Sequence, residues 1–153
     1  MNVWRLCEAR YCEGALSGEG AFRYPGRWNL YGVAVVYTVS SPSLAMLEYL
    51  INVDREDAPA NMMMVRLAIP GTAKLTPDAR LPSDWDAVPV PSSTQEFGSA
   101  WVRRKSSLAL GVPSVVQPSR AEYCVLLNPL HPQASRIRRV QATPFSFDER
   151  LLN

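Results

Sequence analysis

Proline sets the first limit on what this chain can fold into: 13 of its 153 residues are proline, ~8% where roughly 5% is usual. A proline inside a helix removes a backbone donor and clashes with the preceding turn, so helices here must be few and short. The densest run has prolines at 70, 77, 82, 89 and 91 with Trp85 in its middle, and reads as a long ordered loop crossing the surface. Regular elements have to fit between such breaks.

Val33 to Val39 is a near-continuous β-branched and aromatic run, the pattern of a strand buried on both faces or nearly so. It stops at Ser40-Ser41-Pro42, where Ser41 is an N-cap and Pro42 takes the first helical position. That helix is predicted to run to about Asp54, with Leu44, Leu47 and Ile51 on its apolar stripe. Ser92 and Ser93 stand three residues before Gln95 and Glu96, two overlapping capping boxes. They open a helix to about Leu108 that turns Phe97, Trp101 and Leu108 inward and sets Arg103, Arg104 and Lys105 near its negative end. Val3 to Leu6, Met62 to Ile69, Ser114 to Val116, Tyr123 to Leu127 and Ile137 to Thr143 are the other strands, and the glycine-rich stretch from Glu13 to Asn29 is dominated by turns. The expectation is one α/β (α+β) domain over residues 1–153. A chain of this length buries roughly 70% of its unfolded surface, and 47% apolar with 20% charged residues is ordinary globular composition.

Net charge is +2, far from the dense basic stripe that announces nucleic acid as the main ligand. Cys7, Cys12 and Cys124 follow no C-x-x-C spacing and His131 is the only histidine, which leaves a structural zinc site close to excluded on ligand count. No segment has the ~20 continuous apolar residues needed to span a bilayer, and Met1 to Arg5 lacks the layout of a signal peptide. The expected location is the cytoplasm, with reduced thiols and no membrane contact.

Glu48 is the most informative single residue, because its spacing from Leu44 and Ile51 puts a carboxylate on the apolar stripe of the first long helix. Burying it alone is expensive, so the position implies a nearby cation, a polar cleft, or a rotated helix with Glu48 at the edge of its solvated face. The sequence weighs these equally. Gly26-Arg27-Trp28-Asn29 supplies a guanidinium suited to phosphate or carboxylate, beside an aromatic ring; the bland reading is a surface arginine stacked on tryptophan. Tyr37 stands four residues before the helix cap, where its ring is either a cleft wall or core. Ser114 opens an apolar run after Pro113, and a Ser114–His131 hydrolase is formally open but has no motif behind it. No glycine-rich phosphate cradle is present.

Taken in order, several blocks resemble the RES-domain toxins of bacterial toxin–antitoxin pairs. They are Trp4-Arg5, Gly18-Glu19-Gly20-Ala21, Gly26-Arg27-Trp28-Asn29, Val36-Tyr37-Thr38, Leu47-Glu48, Trp85, Gly98-Ser99-Ala100-Trp101, Val112-Pro113-Ser114 and Asn128-Pro129-Leu130-His131-Pro132. The resemblance implies a compact fold similar to ADP-ribosyltransferase toxins and an enzyme that degrades NAD+ at the nicotinamide–ribose bond, by phosphorolysis or hydrolysis. It places Arg27, Tyr37, Glu48 and Ser114 on the family's catalytic positions and Arg27, Trp28, Tyr37 and Asn128 on its NAD+-binding positions. On that reading Arg27 holds the pyrophosphate or an attacking phosphate, Tyr37 stacks on nicotinamide or ribose, Glu48 bonds the ribose hydroxyls, and Ser114 and Asn128 orient the substrate. It also implies a helix-turn-helix antitoxin of the Xre type as partner, no direct nucleic-acid contact, and no cofactor, NAD+ being substrate and inorganic phosphate a candidate acceptor; a homo-oligomer is left open. Cys124 departs from the pattern, standing where family members often show asparagine. It motivates the alternative of a catalytically weakened RES-like module that binds nucleotide or antitoxin.

Overall fold

The computed structural model describes residues 1–57 and 59–153. Six strands, Asn2–Glu8 (β1), Val36–Val39 (β2), Met62–Ala68 (β3), Ala109–Val112 (β4), Cys124–Leu127 (β5) and Arg138–Phe145 (β6), form one sheet in the order β4-β5-β2-β1-β3-β6. Every pairing of these strands is antiparallel, so the α+β form of the expected class is the one realised. The α-helices among the described residues are Glu19–Arg23 (α1), Pro42–Leu50 (α2) and Ser92–Arg104 (α3), the longest having 13 residues. Short helices are what the proline distribution demands. No helix among the described residues is long and apolar enough to cross a membrane.

Strand alternation divides the core into two faces. Leu6, Val39 and Leu126 pack with Trp28, Leu44, Trp101 and Val102 on one side, while Val3, Val36, Val65, Leu67 and Val125 pack with Leu108 and Ile137 on the other. Strand β5 is buried along its whole length, and each such leucine contributes about 2 kcal/mol of apolar burial.

The sheet is nearly divided at its centre. Strands β1 and β3 are joined from Asn2↔Ala68 to Glu8↔Met62 and β2 and β5 from Val36↔Leu127 to Val39↔Cys124, but β1 and β2 share the single pair Trp4↔Val39. Beyond that pair a cleft opens between Arg5-Leu6 and Tyr37-Thr38, and α2 lies over both strands.

Local chemistry explains where the elements begin and end. Ser41 accepts the Leu44 N–H at 3.1 Å with Pro42 at the first position of α2, as the sequence predicts. The helix stops at Leu50, short of Asp54, and the Asn52 amide donates to the Glu48 carbonyl at 2.8 Å as the turn closes. Leu44 and Ala45 face inward whereas Leu47 and Ile51 are 41% and 58% exposed, so the helix is rotated from the expected stripe. The small Ala45 lets α2 approach the sheet, and Glu48 and Tyr49 follow it round to line the cleft.

The predicted capping boxes do not form. Pro91 occupies the N-cap of α3, Ser93 donates to Asp84 at 2.6 Å, and Thr94 donates to the Pro91 carbonyl. The helix ends at Arg104, where Lys105 takes the left-handed conformation (φ 51°); Leu108 lies past the end and fills the opposite core face. Ser114 to Val116 is not a strand: the strand is β4, and Ser114 Oγ instead accepts the Val116 and Gln117 N–H groups in a turn. The long proline loop reaches back into the sheet through a bridge between Leu75 and Gly111.

Candidate active site

Helix α2 presents Glu48 to the cleft, and two donors from other elements meet its carboxylate. Ser114 Oγ donates to Oε1 at 2.6 Å, and Cys124 Sγ, from the first residue of β5, contacts the same oxygen at 3.4 Å. Oε2 has no hydrogen bond among the described residues and is not a sealed buried atom. The helix is rotated, as one of the sequence alternatives had it, and the rotation sets a half-buried Glu48 at the edge of a polar cleft. Burial, followed by the Glu48 charge and hydrogen bond, pushes the Cys124 thiol well above its usual range, with Arg27 acting in the opposite direction.

Tyr37 projects from β2 on the same face. Its oxygen accepts the Trp28 N–H at 2.9 Å and its O–H donates to Asn29 Oδ1 at 2.7 Å. Desolvation holds the phenol well above its ordinary value, opposed by the Trp28 N–H. Asn29, 0% exposed, also takes the Gly26 N–H and donates to the carbonyls of Ala21, Leu30 and Val33. Gly26 is required by contact rather than by backbone angle, since a Cβ there would sit 2.8 Å from the Tyr37 oxygen. Helix α3 pins the same loop: Gln95 donates to the Gly26 carbonyl, Ser99 accepts the Leu30 N–H, and a Cβ at Gly98 would lie 1.9 Å from the Trp28 carbonyl oxygen.

Arg5, to which the sequence pattern assigns no role, lies beside Glu48 in the cleft. It lines both a cavity of about 270 Å³ with Trp4, Tyr37, Glu48 and Cys124 and an adjoining one of about 380 Å³ with Gly18, Glu19, Tyr24 and Asn52. Its Nη1 donates to the Ala15 carbonyl at 3.2 Å, and burial draws its guanidinium below the usual value. It remains a cation. The available signal was a charge inside an apolar strand, the same anomaly that marked Glu48. A larger cleft of about 850 Å³ opens among Glu8, Arg10, Met63 and Phe145. It lacks Glu48 and its paired donors.

The remaining candidates divide. Arg27 Nη1 donates to the carbonyls of Trp85 and Ala87 at 2.9 and 2.7 Å, tying down the proline loop, while its charge still reaches Tyr37 and Cys124. Trp28 is 2% exposed and packs edge-on against Phe97 at 6.0 Å, so its ring is core and only its backbone N–H serves the site. Asn128, 0% exposed, is held by the Val102 carbonyl and the Leu130 N–H and lines neither cavity. Both side chains are thus held inside the fold. Ser114 Oγ is bonded to Glu48. Its proton is committed there, and His131 Nδ1 accepts the Gln133 N–H in an exposed turn, so no Ser114–His131 couple forms.

A carboxylate with one oxygen held and one open can stabilise developing positive charge, and the half-buried Arg5 guanidinium beside it can hold an anion. Comparison with known proteins bears on which family uses this arrangement. The family profile described as RES domain matches residues 2–148. The chain belongs to the RES-domain family. Its RES relatives include the Prs ADP-ribosylating toxin of a Sphingobium species, 36% identical with 99% of this chain and 96% of the relative covered. Toxin Res of Pseudomonas putida is 38% identical with 99% of each covered. In fold, this RES domain is similar to a chain of the Mycobacterium tuberculosis MbcT–MbcA toxin–antitoxin complex, with a TM-score of 0.72, 21% identity, and 99% of this chain and 86% of that one covered.

Proposed function

We propose that this RES-domain protein is a toxin that cleaves the nicotinamide–ribose bond of NAD+. The reading rests on Glu48, whose Oε1 is fixed by Ser114 while Oε2 stays open toward a cleft lined by Arg5 and Tyr37. When the bond breaks, its electron pair leaves with nicotinamide, which departs neutral, and positive charge develops on the ribose as in glycoside hydrolysis. Glu48 Oε2 accepts from the ribose hydroxyls and stabilises that charge in a partly desolvated site. Arg5 contacts the anionic pyrophosphate, with Arg27 contributing at longer range. Tyr37, with both of its hydrogen-bonding roles already filled, forms a fixed wall for the leaving ring. No separate cofactor enters this scheme.

The acceptor is phosphate or water, giving ADP-ribose with or without a 1″-phosphate and lowering cellular NAD+. A third acceptor follows from the name of the Sphingobium relative: transfer of the same ADP-ribosyl group to Prs. All three share the first half of the reaction. A cytoplasmic setting and a cognate Xre-type antitoxin complete the proposal, the fold likeness to a toxin from a toxin–antitoxin complex supporting such a partner.

The test is nicotinamide release by folded, partner-free protein incubated with NAD+ alone, with phosphate, and with Prs, the other product being identified by mass. Release in any arm is expected, and the product mass names the acceptor. No release in all three overturns the proposal and leaves the nucleotide- or antitoxin-binding alternative.

A further inference from the structure

Ser114, whose Oγ is itself held by the Val116 and Gln117 N–H groups, restrains Oε1 of Glu48 from one side. The torsional preference of the carboxylate's terminal bond is broad, so a contact from a second direction narrows the swing that this one hydrogen bond leaves. The second contact comes from a different direction. Cys124 begins β5 opposite Val39 and Val112, and its side chain emerges on the same face of the sheet as Tyr37, under α2. Its sulfur lies 3.4 Å from the oxygen that Ser114 holds, at 9% exposure and lining the Glu48 cavity. A thiol is a weak donor, so its contribution is to direction more than to binding strength.

We propose that Cys124 is a positioning residue for Glu48: together with Ser114 it holds Oε1 from two sides and thereby aims Oε2 into the cleft. The proposal rests on the NAD+-cleaving reading for its kinetic consequence, but the contact itself does not. In place of a mark of decay, the departure at position 124 becomes a working substitute for a stronger donor.

Two measurements test it on the full chain. The first needs no turnover: methyl methanethiosulfonate labelling of Cys124, followed by peptide mass at about pH 8, in the wild type and in Glu48→Gln. Removing the adjacent anion frees the thiol to ionise, so labelling several-fold faster in Glu48→Gln is expected, and equal rates overturn the contact. The second is the kinetic split. Cys124→Ala lowers kcat by about tenfold with little change in KM, on the scale of a weak hydrogen bond to a charged acceptor. Cys124→Ser restores kcat to within about threefold, and Cys124→Ala costs nothing further once Glu48→Gln is present. Wild-type kcat in Cys124→Ala, or no rescue by serine, overturns the positioning role. If wild type releases no nicotinamide, the functional reading fails by itself and the labelling comparison still decides the contact.

Discussion

The two walls of the cleft handle polar atoms in opposite ways. On the Gly26–Asn29 side nearly everything is satisfied internally: Tyr37 donates to Asn29 and accepts from Trp28, Asn29 makes five hydrogen bonds that join its loop to α1 and β2, and Arg27 ties two carbonyls of the proline loop. On the α2 side one carboxylate oxygen is held and the other is left open. On the proposed reading the first wall is mainly a scaffold, and the second presents the carboxylate that would meet the developing charge. Buried polar groups that satisfy one another add rigidity, whereas an unsatisfied one invites a ligand. Sequence motifs do not separate these cases, because both kinds of residue are polar and stand in characteristic blocks.

Substitutions that affect one wall and spare the other probe the contrast directly. The largest expected effect is from Glu48→Gln, which keeps the Ser114 contact and removes the charge: nicotinamide release falls by about 10²–10³-fold while the melting temperature stays near wild type. A comparable loss of stability would place Glu48 on the scaffold side instead. Asn29→Ala is the converse. It strands Tyr37, Gly26 and three carbonyls, and urea unfolding should show a loss of about 3 kcal/mol; an unchanged midpoint would mean the network is redundant. Ser114→Ala sits between the two, losing a hydrogen bond to a charged group and a local turn bond, and is expected to slow turnover by about 10- to 100-fold with a small drop in stability.

The smallest effect is on pH dependence. Burial raises the Tyr37 phenol above the unfolded value of 10.0, so both states keep the proton below that pH and the contribution to stability is fully present. As pH rises past it the unfolded chain ionises first, and stability falls until the folded phenol also titrates. Urea midpoints at about pH 9 and 11 should therefore drop less in Tyr37→Phe than in wild type. Equal slopes would show that Tyr37 is more hydrated than its contacts imply.

Much of this was legible before the fold was known, and what was not has specific causes. The Ser41-Pro42 helix start is a local signal that the structure keeps, and the Val33 to Val39 run is realised in its second half as β2. Strand β4, Ala-Leu-Gly-Val, has little strand propensity of its own and exists because β5 pairs with it. Helix α1 was hidden among glycines. The capping boxes at Ser92 and Ser93 lost to Pro91, which is already extended at the N-cap (φ -78°, ψ 152°). At the site, Glu48 was found because a carboxylate on an apolar face is costly. Arg5 offered the same clue and was passed over in so short a strand. Trp28 and Asn128 carried the family pattern but are buried at 2% and 0% exposure, a distinction that only packing reveals.

The single Trp4↔Val39 pair that joins β1 to β2 also has a thermodynamic consequence. Three strands on each side of it, β4-β5-β2 and β1-β3-β6, share far more backbone pairing within each trio than between them, so the seam, held by side-chain packing and α2, is where amide exchange is expected to open first. A ligand seated across the joint, touching Arg5 on one trio and Tyr37 on the other, binds the closed form and not the parted one. By linkage it raises the free energy of opening in proportion to RT ln(1 + [L]/Kd), so occupancy would be readable as slowed exchange at the seam before any product is formed.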